Sequence, residues 1–205
     1  MVPFATPLYA PQLLAFPYRA ATPIGTVWSE TPIAPEILVS TSDAVRARMA
    51  TTPLADANER RPIFLTEGGW RWSWLAPGNV SAFALSRPLT KAVVVNRANL
   101  VGDAASGEPT ADHTRTLASL LAHEFTHGLI RRRYGDVASL RFPGWKVEGY
   151  ADYVAGESTL SDAEVARLEA AGKGHPALLY YRGRQRVAKV LAANGGDVDA
   201  LFDGD

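Results

Sequence analysis

The sequence predicts an α+β fold in which strands gather in the first half of the chain and helices in the second. Between residues 61 and 96, short apolar runs rich in Val, Ile, Phe and Trp are punctuated by Gly and Pro. A long stretch in the middle of the chain carries apolar residues at helical spacing, and helix start and stop signals recur after it. At 205 residues the chain reads as a single domain, with a strand-rich lobe over 1–100 and a helical lobe over 101–205.

Composition narrows the function. Twenty-one basic residues balance twenty-one acidic ones, which gives no electrostatic footprint for nucleic acid or an anionic membrane. With no cysteine there is no disulfide and no thiolate ligand, so a metal must be held by carboxylates and the four histidines, His113, His123, His127 and His175. The segment from Met1 to Leu14 is apolar but has no basic n-region and is broken by Pro3, Pro7 and Pro11. It reads as neither a signal peptide nor a membrane span, and a cytoplasmic location is the expectation.

The first 35 residues show no helical period, and Gly25 to Glu30 forms a short strand between Pro23 and Pro32. Ile37-Leu38-Val39 leads into a helix over Ser42 to Met49, with Ser42 or Asp43 as N-cap and Pro53 beyond its end. Pro62 to Thr66 is a strand stopped by Gly68-Gly69. Trp70-Arg71-Trp72-Ser73-Trp74 alternates with period two, as a strand packing its aromatic face would. With Ala82 to Leu85 and Lys91 to Asn96 these runs predict an antiparallel meander.

A loop over 101–112 ends in Asp112, the expected cap of a helix from His113 to Tyr134 that Gly135 closes. Ala118, Leu121, Ala122, Phe125 and Leu129 form its core stripe; Leu120, His123, Glu124, His127 and Arg131 face a cleft. Arg131-Arg132-Arg133 complements the negative helix end. After a turn at Phe142-Pro143-Gly144, a helix from Trp145 to Gly156 sets Glu148 and Asp152 on one face. Ser161 and Glu164 make a capping box for a helix to about Ala171, His175-Pro176 opens a helix over Ala177 to Ala193, and Asp197 to Phe202 makes a last short one.

Within the central helix, His123-Glu124-Phe125-Thr126-His127 is an H-E-x-x-H motif. Residues four apart stack on one helical face, so both imidazoles can reach one zinc ion, with Glu124 about 100° round the helix as a general base. The bland alternative for such a short pattern is two surface histidines. A catalytic zinc takes three protein ligands and keeps one position open. Glu148, on the next helix, is the natural third ligand. His113 lies ten residues before His123, about 15 Å along a helix and out of reach of the same ion.

H-E-x-x-H followed by Trp145-Lys146-Val147-Glu148-Gly149-Tyr150-Ala151 resembles the gluzincin metallopeptidases of the peptidase MA-like superfamily, with the second motif similar to that of the M1 aminopeptidases. The resemblance covers residues 113–195 and implies a zincin-like fold, a bound Zn2+ held by His123, His127 and Glu148, and peptide or protein as substrate. As in thermolysin-like enzymes, it implies that Asp152 orients His123. Tyr180-Tyr181-Arg182-Gly183 is similar to the Y-x-K-G that stabilises the oxyanion in M1-type enzymes; aligned on the glycine, Tyr180 is the candidate and Tyr181 the fallback, with core packing the alternative for either. His175 is either a further donor at the cleft or a residue of the helix start. Metzincins fit worse, because Ile130 and Arg133 stand where Gly and His are needed.

The resemblance implies hydrolysis of a peptide bond in which zinc lowers the pKa of its bound water and Glu124 takes the proton. No G-x-M-E-N strand precedes the first motif, so endopeptidase action is as well supported as aminopeptidase action. Lys91 to Asn96 is the expected edge strand for an extended substrate. The competing readings are a degenerate zinc- or peptide-binding or regulatory module, and a zinc hydrolase of a non-peptide substrate.

Overall fold

A computed structural model describes residues 9–79, 81–87, 90–100, 103–107 and 114–204. Strands β1 (Tyr18–Thr22), β2 (Gly25–Ser29), β3 (Ile63–Leu65), β4 (Ala84–Ser86) and β5 (Val93–Val95) form one sheet in the order β1-β2-β3-β5-β4. The order departs from an antiparallel meander. β1 pairs antiparallel with β2 and β4 antiparallel with β5, but β2, β3 and β5 run parallel, with Phe64 opposite Trp28 on one side and Val94 on the other. Parallel neighbours need a crossover. Helix α1 (Pro35–Met49) supplies it between β2 and β3, and helix α2 (Trp70–Leu75) lies in the connection from β3 towards β5.

Two sequence readings are corrected here. The Trp70 to Trp74 segment is helix α2, not a strand. Residues two apart on a helix point about 200° apart, so only Trp72 is buried, together with Leu75 three residues on; Trp70 and Trp74 are exposed. Helix α1 starts at Pro35, whose fixed φ suits the first helical turn, rather than at Ser42. Ser42 is buried in the helix interior and caps nothing.

The all-buried triplets of β3 and β5 are covered on both faces, as parallel strands require. On one face Val27, Ile63, Leu65, Val93 and Val95 meet Val45 of α1 and Leu117, Leu121 and Phe125 of helix α3 (Leu117–Tyr134). On the other, Phe64 and Val94 meet Trp72, Leu75, Leu14 and Phe16. Short strands β6 (Ala98–Asn99), β7 (Ala104–Ala105) and β8 (Arg115–Thr116) form a second, antiparallel sheet that leads directly into α3.

Helix α3 begins later than its sequence suggests. Thr116 is its cap, with its hydroxyl accepting from the Ser119 amide; the expected cap Asp112 and the expected first helical residue His113 lie outside the described residues. Its C-terminal end is as expected, with Gly135 at φ 97°. Beyond α4 (Ala138–Arg141) come α5 (Gly144–Ala155), α6 (Asp162–Ala170), α7 (Ala177–Ala193) and α8 (Val198–Asp203). The capping box at Ser161 and Glu164 and the α7 boundaries match the sequence reading. A second core joins Ile130 of α3 to Val147, Tyr150, Val187, Leu191, Leu201 and Phe202.

The protein is therefore α+β, with a mostly sheet N-terminal region and a helical C-terminal region. Among the described residues, no helix is long and apolar enough to cross a membrane.

Candidate metal centre

Both faces of α3 match the pattern of its sequence. Ala118, Leu121, Ala122, Phe125 and Leu129 are buried, with Ala118, Leu121 and Phe125 in the core against the sheet and α1, while Leu120, which also joins that core, lines a cleft of about 760 Å³ with His123, Glu124, His127 and Arg131. Helix α5 packs across α3 and brings Glu148 into the same cleft. The crossing of α5 with α7 is set by glycines. Gly149 Cα lies where a side chain on Gly183 would begin, 3.1 Å from that Cβ position, so the two backbones touch. Glu148 precedes the one glycine and Tyr180 is three residues before the other, which is how both reach the cleft.

Three ligand atoms converge there. His123 Nε2 and His127 Nε2 are 3.0 Å apart, and Glu148 Oε2 lies 3.3 Å from the first and 3.4 Å from the second. Bonds of about 2.0–2.2 Å around a tetrahedral ion place neighbouring ligand atoms roughly 3.3–3.6 Å apart. Such a triangle can hold a metal ion, and it leaves a fourth position towards the cleft.

The charges favour a cation at this point. The Nδ1 of His123 donates to Asp152 Oδ1 at 2.8 Å, since a carboxylate can only accept, and that turns Nε2 towards His127 and Glu148, where it can carry a proton or ligate a metal. Burial disfavours charge on His123, but hydrogen bonds to Asp152 and Glu148 outweigh it and lift its pKa to about 9. Burial works against ionised Glu148, yet the two imidazoles hold its carboxyl well below the usual carboxylate range. Two Nε2 atoms at this separation need a proton or a metal ion between them, and these surroundings supply negative charge for either.

Asp152 is itself fully buried. Arg115 Nη1 donates to the same Oδ1 at 2.8 Å, and the Ser158 hydroxyl donates to Oδ2 at 3.0 Å. Burial would raise its pKa, but His123 and Arg115 bring it below the ordinary value. Arg115 also donates to Ser119 Oγ and the Glu157 carbonyl, both at 3.0 Å. Sequence reasoning passed over this arginine. Its one visible signal is that Arg115, Ser119 and His123 follow one another at intervals of four.

Glu124 is buried on the cleft wall, and among the described residues no hydrogen bond or ion pair engages its carboxylate. Tyr180 also lines the cleft, its ring 6.2 Å from that of His123, and burial followed by the charges of Glu148, Glu124 and Asp152 pushes its phenol up to about 12. Tyr181 points elsewhere; it is bonded to Asp162 Oδ1 at 2.9 Å. His175 is on the cleft wall and at the helix start at once, with Nδ1 accepting from the Ala177 amide at 3.1 Å.

Comparison with protein-family models, with curated proteins and with solved structures gave no match. What the cluster can do is set by its own donors.

The strand beside the cleft differs from the one expected. Lys91 to Asn96 contributes β5, which is paired on both sides; among the described residues the outer strand on this side of the sheet is β4. Ser81 to Ser86 line the cleft opposite the helix face that carries His123, Glu124 and His127. The expectation erred because a three-residue strand with one alternation cannot show from sequence which of two neighbours lies outermost.

Proposed function

We propose that this chain is a zinc-dependent metallopeptidase of the gluzincin type that cleaves an extended peptide laid along β4. The observation that carries the reading is the triangle of His123 Nε2, His127 Nε2 and Glu148 Oε2, with an unengaged carboxylate, Glu124, in the same cleft. Zinc bound at the triangle would supply a Lewis acid for the scissile carbonyl and for the attacking water.

The residues then divide the work. Glu124 accepts a proton from the attacking water and delivers it to the leaving amine. Tyr180, held as a phenol by its surroundings, donates to the oxygen that gains charge as the carbonyl is attacked. Asp152, fixed by Arg115 and Ser158, keeps His123 in the tautomer whose Nε2 faces the metal position. Among the described residues no strand pairs with the outer edge of β4, and this favours a peptide over other substrates, because its backbone groups can continue the sheet into an extended chain.

Metal analysis and peptide turnover measured side by side test this. One zinc per wild-type chain is expected, lost in Glu148→Ala and retained in Glu124→Gln, with hydrolysis of unstructured peptides lost in both. Full activity in Glu124→Gln would remove Glu124 as the base. Absence of zinc from the wild type after reconstitution would overturn the reading, and zinc with no turnover of any peptide would favour a binding module.

A further inference from the structure

We propose that Arg131 is a specificity residue that binds a carboxylate of the substrate close to the scissile bond. The proposal rests on the peptidase reading above and adds the substrate class to it. In the run Arg131-Arg132-Arg133 the three side chains have separate fates. Arg132 pairs with Asp56 and Glu59, and Arg133 pairs with Asp199. Arg131 instead turns into the cleft, where its one hydrogen bond among the described residues goes to a neutral group, Ser86 Oγ at 3.0 Å.

The charge at Arg131 is poorly compensated. It is partly buried, and among the described residues it has no ion pair. The other guanidiniums deep in this part of the fold are matched, Arg61 to Glu59 and Arg115 to Asp152. Burial and the nearby Arg61 both disfavour its charge, while Glu124 and Asp136 offset this only from beyond ion-pair distance. A guanidinium has five N–H donors in a planar fork, so with one bond to Ser86 it keeps donors for a two-point contact with a carboxylate.

Position makes the carboxylate part of the substrate. Arg131 stands one helical turn beyond His127 on the same face, about 6 Å along α3. Ser86 is the last residue of β4, so the guanidinium sits where this outer strand meets the helix. An extended chain advances about 3.3 Å per residue. Arg131 therefore meets a substrate group within about two or three residues of the bond held at the metal triangle. An acidic side chain and a free C-terminal carboxylate carry the same chemistry.

The test is equilibrium binding to zinc-loaded Glu124→Gln protein, followed by fluorescence anisotropy at low ionic strength. The probes are alanine-rich labelled peptides in which a single Glu or Gln is moved along the chain, each made with a free or an amidated C-terminus. At the preferred position a carboxylate should tighten binding by about tenfold or more. The advantage should vanish in Glu124→Gln/Arg131→Gln and persist in part with Lys at 131, while melting temperature and zinc content stay unchanged. An advantage lost on amidation identifies the chain end as the source, and one that survives amidation identifies the side chain. Equal or undetectable binding of all the peptides, or an advantage that survives Arg131→Gln, overturns the proposal. Wild-type hydrolysis without any acidic preference removes the role of Arg131 alone. A carboxylate advantage without hydrolysis removes the peptidase reading and leaves the carboxylate site standing.

Discussion

Gly149 and Gly183 meet backbone to backbone where α5 crosses α7, and a Cβ on Gly149 would fall 2.8 Å from Gly183 Cα. The contact lies between the helices that carry Glu148 and Tyr180, both of which line the cleft. Alanine at 149 gains up to about 1 kcal/mol of helix propensity. Forcing two helices apart costs about 1–3 kcal/mol, so the clash should win. We predict that Gly149→Ala lowers the melting temperature by several degrees and weakens zinc binding, read by thermal unfolding and competition with a chromophoric chelator. Wild-type values for both would show that the crossing is looser than its geometry.

Asp152 links the triangle of His123, His127 and Glu148 to a buried arginine. Asn at this position keeps the shape and one acceptor but removes the charge that balances Arg115. Leaving a buried charge unmatched costs about 3 kcal/mol, and loosening a ligand histidine costs about 10–100-fold in metal affinity. Asp152→Asn should show both losses, in urea unfolding and in zinc titration. A variant that loses stability but binds zinc as the wild type does would detach Asp152 from the metal site.

The metal-free protein should lose stability as it is made alkaline. The pKa of His123 is raised from 6.5 to about 9 in the fold, so its contribution is full below about pH 6.5 and is lost as pH rises through 9. Glu148 is shifted downward from 4.5, so its contribution is present above that value and lost in acid. In chelator, the melting temperature should be highest between about pH 5 and 6.5 and fall towards pH 9. If zinc binds there, it would replace a proton between the two Nε2 atoms, and the loaded protein should keep its stability across that window. Stability that rises from pH 6.5 to 9 in chelator would contradict the assigned hydrogen bonds of His123.

A fourth expectation concerns Gly128, directly after His127. The guanidinium of Arg61 occupies the space a side chain there would need, over the ring of Phe125. Gly128→Ala should therefore destabilise the wild type but stabilise an Arg61→Ala background, where only the propensity gain of about 1 kcal/mol remains. Additive effects in a double-mutant cycle by urea unfolding would rule out the contact.

The helix that carries His123 and His127 was legible because its period is long. Eighteen residues of α3 separate a sheet-facing stripe from a cleft-facing one, and His123 and His127 fall on the latter. Glu148 was legible from its motif, and the glycines of both later motifs now have a reason in the α5–α7 contact. Short elements were not. Five residues from Trp70 to Trp74 fit a strand period as well as one helical turn, and only burial of Trp72 with Leu75 decides between them. That misreading removed a crossover helix and turned parallel pairing into a meander. Arg115 was hidden for a different reason: its partner Asp152 is 37 residues away and is reached only because β8 runs straight into α3.

If a peptide pairs with β4, the three-residue length of that strand limits how it binds. Among the described residues β4 is an outer strand of only three residues that faces α3 across the cleft, an edge that could pair with a few residues of an extended chain. Under the peptidase reading, a folded target would first have to release several residues from its own structure, at roughly 1–2 kcal/mol of backbone ordering per residue when they are fixed again along β4. Discrimination would then lie as much in local disorder as in side chains, and cuts would cluster in tails and mobile loops.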